Sequence, residues 1–161
     1  MTIAMKLKPL EYALYLLKIR DRSIGEIQHK MSVRKCSKEE VKEVILFLND
    51  KKFLNDEKFA AHFVRNQLNI KPQGKYKLEQ RLRQLYVDDK IIKDVLGKID
   101  INEERNSAKE LAERWLKRQN HEFRVMNYEE QQKHKDKLIR HLISRGFSYE
   151  VIKEVLSEVM K

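Results

Sequence analysis

Three short stretches of this 161-residue chain share one pattern of apolar and charged residues: VKEVI at 41–45, IKDVL at 92–96 and IKEVL at 152–156. Each stretch belongs to an i, i+3, i+4, i+7 series of apolar residues, which is the spacing of one helix face. Offsets of 51 and then 60 residues relate the series, whose twelve positions are Val41, Val44, Ile45, Leu48, Ile92, Val95, Leu96, Ile99, Ile152, Val155, Leu156 and Val159. The pattern predicts three equivalent helices that bury these residues.

The same offsets hold upstream of these helices, across a turn and into a second helix. The predicted N-caps, whose side-chain oxygens accept from free backbone N–H groups, are Ser37, Asp88 and Ser148. The apolar positions of the preceding helix also correspond: Ile27, Met31, Leu78, Leu82, Leu138 and Leu142. Ser23 with Glu26 fits the S-x-x-E capping box, as does Ser37 with Glu40. A register that continues through helix, turn and helix indicates an internal repeat.

A further helix precedes each pair, with Ala13, Phe59 and Leu111 among its apolar residues. The chain is therefore predicted to be all-α, an elongated tandem array of three three-helix repeats. The predicted repeats cover residues 9–54, 55–99 and 102–160. The third is nine residues longer, and we place the extra length at 119–130, partly as an extension of the flanking helix.

Composition agrees with a helical protein. Four Gly and two Pro are too few for the turns of a many-stranded sheet protein, and 37% of the residues are charged. Cys36 is the only cysteine, so no internal disulfide forms, and a reducing cytoplasm is the expected location. No apolar run reaches the roughly 18 to 20 residues that a membrane span needs. We expect a cytoplasmic monomer without membrane contact.

The residues that would carry catalysis are missing or have a simpler explanation. The four glycines are isolated, so no glycine-rich loop holds phosphates, and the histidines lack the spacing of metal ligands. Cys36 occupies the apolar position just before a predicted N-cap, and Trp115 an apolar position of a predicted helix, so packing explains both. Asp88 and Asp89 stand at a helix start, where carboxylates complement the helix dipole. We predict no catalytic residue, no metal and no cofactor.

The net charge is +10, from 35 Lys and Arg against 25 Asp and Glu, and this favours anionic partners. The basic residues are densest around the second helix of the middle repeat, at Lys71, Lys75, Lys77, Arg81 and Arg83. A second group is Lys18, Arg20 and Arg22. We assign both groups to partner binding, to DNA phosphate or to acidic protein. A solvated helix face remains the alternative interpretation.

Four segments in order resemble the RecX family, regulators of the RecA recombinase. They are YALYLLKIRDRSIGEI (12–27), LNDKKFLNDEKFAAHFV (48–64), GKYKLEQRL (74–82) and RGFSYEVIKEVL (145–156). The resemblance runs from about residue 9 to 160. It implies three-helix repeats without a catalytic centre. It also implies binding in the groove of the RecA–DNA filament and modulation, usually inhibition, of recombination, DNA repair and the SOS co-protease activity.

The resemblance also assigns individual residues. Arg20, Ser23 and Glu26 match the family's R-x-x-S-x-x-E/D segment. The residues that match its D-x-x-F/Y-A segment and the glycine opening the next helix are Asp56, Phe59, Ala60 and Gly74. Family members often have Gly between the second and third helices, but Lys35 and Tyr86 replace it in the first two repeats. Either these residues adopt positive φ, at a cost on the order of 1 kcal/mol each, or the turns differ.

The leading hypothesis is a non-enzymatic inhibitor of RecA that binds the RecA filament, with single- or double-stranded DNA as a further partner. The alternative is a basic DNA-binding protein with helix-turn-helix-like modules. Its weakness is that no second helix shows the Asn, Gln and Arg pattern of base readout. A helical scaffold for another acidic partner is a third interpretation.

Overall fold

The computed structural model describes residues 7–118 and 127–160, and within these ranges the secondary structure is entirely helical. Its helices are α1 (Pro9–Ile19), α2 (Ile24–Val33), α3 (Lys38–Asp50), α4 (Asp56–Ile70), α5 (Lys75–Gln84), α6 (Asp89–Gly97), α7 (Ile101–Arg118), α8 (Tyr128–Ser144) and α9 (Tyr149–Val159). The predicted all-α class is confirmed. None of these helices is long and apolar enough to cross a membrane.

The register found in the sequence recurs in the helix ends. Helices α2, α5 and α8 end at Val33, Gln84 and Ser144, and the following helices start at Lys38, Asp89 and Tyr149, so both sets are offset by 51 and 60 residues. Helix α8 has 17 residues, whereas α2 and α5 have 10 each, and its extra length lies at its N-terminal end. The rest of the predicted extra segment, residues 119–126, lies outside the described residues.

The turns after α2, α5 and α8 share one conformation. Lys35, Tyr86 and Gly146 have φ of 65°, 58° and 84°, so the first of the two alternatives for the missing glycines is correct. Each turn closes with the same pair of backbone hydrogen bonds, such as Lys35 N to Ser32 O at 2.9 Å and Cys36 N to Met31 O at 3.1 Å. This is the Schellman pattern, which satisfies the last carbonyls of a helix. The end of α3 has it too, at Lys52, which the sequence did not indicate.

The chain divides into two compact units. The first consists of the residues up to Phe63 together with Arg81–Val95. Its main apolar cluster joins α1, α2 and α3 and is formed by Ala13, Leu16, Ile27, Met31, Val44, Ile45, Leu48 and Leu54. Cys36 is half-buried at the edge of this cluster, as its apolar position predicts.

The second unit consists of Val64–Gln80 together with the residues from Leu96 onward. Here α7 packs against both α8 and α9. The cluster is formed by Ala108, Leu111, Ala112, Leu138, Leu142, Phe147, Val151, Ile152, Val155 and Leu156, with Trp115 partly buried against it. Across both units, the six corresponding positions of α2, α5 and α8 that were predicted to be buried are 0% exposed. The boundaries of the three repeats stay a prediction.

Candidate functional site

Arg20 and Arg22, assigned to partner binding, converge on one carboxylate of the first unit. Glu26 is buried, and its Oε1 accepts from Arg20 Nη2 at 2.5 Å and from Arg22 Nη1 at 3.3 Å. Arg22 is only 9% exposed, and its Nε donates to the Leu16 carbonyl at 3.3 Å. The guanidinium of Arg22 is therefore an internal group of the fold. Arg20 and Lys18 remain exposed to solvent.

Glu26 also closes the start of α2. Its backbone N–H donates to Ser23 Oγ at 3.0 Å, and its Oε2 accepts from Ser23 N at 3.4 Å, which together form a capping box. Ser23 also donates its hydroxyl to the carbonyl of Leu85. The other predicted caps accept from backbone N–H groups: Ser37 from Glu40, Asp88 from Lys90 and Ser148 from Val151.

A second carboxylate, Asp56, binds the same helix end. Its Oδ1 accepts from the backbone N–H of Ile24 at 2.8 Å, so the two segments that resemble family motifs meet at the start of α2. Burial raises the pKa of Asp56, and the nearby carboxylates Asp88 and Glu26 raise it further, while the hydrogen bond from Ile24 acts in the opposite direction. The hydrogen bond from Ile24 is therefore accepted by a partly desolvated carboxylate.

In the second unit, both the backbone and the side chain of Lys75 donate hydrogen bonds within the fold. The position of Lys75 in α5 corresponds to that of Ile24 in α2, and its backbone N–H likewise donates to a carboxylate, Glu104 Oε1, at 3.0 Å. Its Nζ donates to the carbonyl of Ile99 at 2.9 Å and lies 3.9 Å from Glu104 Oε2. Because the ammonium group is held by these acceptors, Lys75 is a poor candidate for a partner contact.

The start of α5 is docked closely on the turn after α8. Gly74 N donates to Arg145 O at 3.0 Å, and Tyr76 N donates to Gly146 O at 3.1 Å. A Cβ on Gly74 would overlap the carbonyl of Gly146, and a Cβ on Gly146 would overlap the backbone of Lys77. These close approaches explain why glycine opens the helix.

The remaining predicted basic residues are closer to solvent. Lys71 is exposed, and the half-buried Lys77 donates from Nζ to Gln80 Oε1 at 3.2 Å. Arg83 is exposed and pairs with Asp89 at 2.9 Å, and Arg81 is half-buried. The structure thus brings Arg20 and Arg22 together on Glu26 and directs Lys75 to Glu104. Whether any of these residues binds a partner stays a prediction.

The sequence interpretation missed a basic cleft in the second unit. It has a volume of about 190 Å³, and its charged lining consists of Lys71, Arg114, Arg118, His141 and Arg145, with Trp115 beside them. Only Lys71 was among the predicted site residues. The i, i+4 spacing of Arg114 with Arg118, and of His141 with Arg145, places each pair on one helix face. That spacing does not show that the pairs line the same cleft.

Comparison with known proteins identifies relatives over most of the chain. The family model for the second three-helix domain of RecX matches residues 55–96, and the model for its third three-helix domain matches residues 103–156. A protein of Prosthecochloris aestuarii named regulatory protein RecX is 33% identical over 95% of this chain and 94% of its own length. A Clostridium botulinum (strain Eklund 17B) protein of the same name is 30% identical over 84% of this chain, which spans 60% of that relative.

The fold also has a close match among solved structures. The crystal structure of RecX from Lactobacillus salivarius superposes with a TM-score of 0.83. The match covers 98% of this chain and 97% of that one at 24% identity. At this identity the likeness supports the fold, in agreement with the family models.

Proposed function

The chain belongs to the RecX family, and from that premise we propose that it is a non-enzymatic regulator that binds a RecA–DNA filament and inhibits it. The observation that carries the proposal is the match to a regulatory protein RecX over 95% of this chain and 94% of that relative. The proposal places the protein in the cytoplasm, as a monomer acting on recombination, DNA repair and the SOS response.

The polar residues of the family-like segments support a role in binding over one in catalysis. Arg20, Ser23, Glu26 and Asp56 direct their side chains to one another and to the start of α2. In residues 7–118 and 127–160 no three His, Cys, Asp or Glu side chains are grouped as metal ligands would be. Because these polar groups stabilise the start of α2, we assign partner binding to other residues on the surface.

Inhibition by such a protein works through differential binding. A ligand shifts an equilibrium only by the difference in its affinity for the two states, so the protein must bind an inactive or disassembling filament state more tightly. Its net charge of +10 would speed the encounter with the polyanionic filament, and salt would weaken this attraction. Lys18 and Lys77 are the proposed contacts, since neither side chain is held by a carboxylate in the contacts described above.

The test is DNA-dependent ATP hydrolysis by a RecA recombinase, measured with increasing amounts of this protein. Inhibition at substoichiometric amounts is expected, and unchanged hydrolysis at equimolar protein would refute the function. The double variant Lys18→Glu with Lys77→Glu should weaken inhibition at physiological salt. The matched control is Lys42→Glu with Lys93→Glu, since both lysines are exposed on third helices and the charge change is the same.

The alternative, direct DNA binding by helix-turn-helix-like modules, rests on the basic charge. A gel-shift assay with duplex DNA, with and without RecA, separates the two. Tight, sequence-selective duplex binding without RecA would favour the alternative. Weak binding whose affinity falls steeply with salt is expected from phosphate attraction alone.

A further inference from the structure

The basic cleft of the second unit combines positive charge with an apolar surface. Its lining comes from the C-terminal end of α4 and the following turn, from α7, and from α8 and the residue that follows it. Lys71, Arg114, Arg118 and Arg145 supply four cationic side chains, and no carboxylate is among the described residues that line it. The volume of about 190 Å³ is below the range typical of small-molecule sites, about 300 to 1,000 Å³. The size suits one side chain of a partner rather than a whole cofactor or nucleotide.

The neighbouring carboxylate does little to neutralise this charge. Arg114 pairs with Glu110 one helical turn away, but both side chains are more than half exposed, and such surface pairs contribute little. The charges of two cleft arginines act on the imidazole of His141. Burial lowers the pKa of its imidazole, and Arg145 and Arg118 lower it further. The positive field of these two arginines therefore extends into the cleft.

The apolar part of the lining offers a second kind of contact. Leu111 and Trp115 lie in the cleft on α7, and Pro72 and Ile70 lie in it on the opposite segment. Ile70 is 67% exposed, so its side chain is accessible to a partner. A nucleic-acid backbone is polar and gains little binding free energy from contact with aliphatic side chains. A Leu or Phe side chain of a peptide would bury the apolar lining of the cleft and gain that free energy. Cationic and apolar groups side by side thus favour a peptide with acidic residues around an apolar one.

We propose that this cleft binds an acidic segment of a partner protein. One apolar side chain of that segment lies against Trp115 and the exposed Ile70, and the flanking carboxylates pair with Arg118 and Arg145. Arginine suits this role because its planar guanidinium binds carboxylates through two parallel hydrogen bonds. The inference rests on the proposed function for the identity of the partner and deepens it by naming the chemistry that is recognised.

Trp115 makes a direct test possible, because it is the only tryptophan of the chain and it lines the cleft. The full chain is titrated with a short synthetic peptide of Asp and Glu around a central Leu, and tryptophan emission is followed. A saturable change whose midpoint rises with salt is expected. Two further peptides, one with Ser for the Leu and one with Lys for the acidic residues, should bind at least about tenfold more weakly, or 1.4 kcal/mol.

The variant Arg118→Gln with Arg145→Gln should weaken binding of the acidic peptide about tenfold or more. Lys133→Gln with Lys137→Gln is the matched control, since both lysines are exposed on α8, outside the cleft lining, and the charge loss is the same. Lys71→Glu, at an exposed position between helices, is an independent variant that leaves the helices intact. It should weaken binding by a similar factor.

Three results would overturn the inference. They are no emission change with the acidic peptide, unchanged affinity in both cleft variants, or equal binding of the Ser-containing peptide. A single-stranded oligonucleotide that changes the emission when the acidic peptide does not would reassign the cleft to nucleic acid. Because no RecA is present, failure here leaves RecA inhibition standing, and absence of RecA inhibition leaves peptide binding standing.

Discussion

The backbone N–H of Gly74 donates to the carbonyl of Arg145 at 3.0 Å, and an equivalent hydrogen bond occurs in the first unit. Ser23 precedes Gly74 by 51 residues and Leu85 precedes Arg145 by 60, the same offsets that relate the repeats. Ser23 reaches the carbonyl of Leu85 with its hydroxyl. In both units, therefore, the residue just before a helix donates a hydrogen bond to the carbonyl that precedes a positive-φ residue. Ser23 donates from its side chain, and Gly74 donates from its backbone.

Gly74→Ala should destabilise the protein by about 1 to 3 kcal/mol, because the added Cβ overlaps Gly146 O and the Phe147 backbone. Urea unfolding followed by circular dichroism measures the loss. Gly97→Ala is the control, since a Cβ there meets nothing within 4 Å, and in a helix alanine is favoured over glycine by roughly 0.5 to 1 kcal/mol. Equal stability of the two variants would contradict the close docking of α5.

Lys35→Gly should stabilise the protein by about 1 kcal/mol, because Lys35 has φ of 65° and glycine adopts that conformation without the Cβ clash. Thermal unfolding should show a higher midpoint. Lys42→Gly, at an exposed position within α3, should instead destabilise by about 1 kcal/mol. A decrease in stability for both variants would argue against strain at position 35.

Glu26→Gln should cost about 3 to 5 kcal/mol, because it removes the charge opposite the buried guanidinium of Arg22. Chemical denaturation of the purified variant measures this. Glu110→Gln, which breaks an exposed pair with Arg114, should cost at most about 1 kcal/mol. If the two substitutions had the same small effect, Arg22 would not depend on Glu26 for its burial.

Asp56→Asn should keep the acceptor for the Ile24 N–H and remove a half-buried charge. Because the folded-state pKa of Asp56 is raised, the ionised carboxylate costs stability at neutral pH, and this cost disappears as pH falls through that pKa. The gain in stability of the variant over the parent chain should therefore be largest near pH 7 and shrink at acidic pH.

Unfolding free energies of both proteins from pH 7 down to pH 4 test this prediction. Asp56→Ala, which also loses the acceptor, should be less stable than Asp56→Asn by about 1 to 3 kcal/mol, since the Ile24 N–H is then left without its partner. A gain for Asp56→Asn that grew at acidic pH would reverse the sign and refute the assignment.

Local patterns in the sequence determined the helices, their caps and the buried face. Ile27, Met31, Leu78 and Leu82 were assigned to the core by spacing alone, and they are fully buried. Such features are local because helical periodicity and N-capping depend on residues three or four positions apart. The family resemblance was likewise carried by short segments in order, and the family models agree with it.

Tertiary structure decided which polar groups meet. Nothing in the spacing of Arg22, Lys75 or Asp56 indicates that the first two turn inward or that the third accepts from Ile24. The cleft likewise joins residues of three segments, and Lys71 was the one member in the predicted site. A side chain's partner depends on which distant elements approach it and how much water they exclude, and a helical repeat pattern specifies neither.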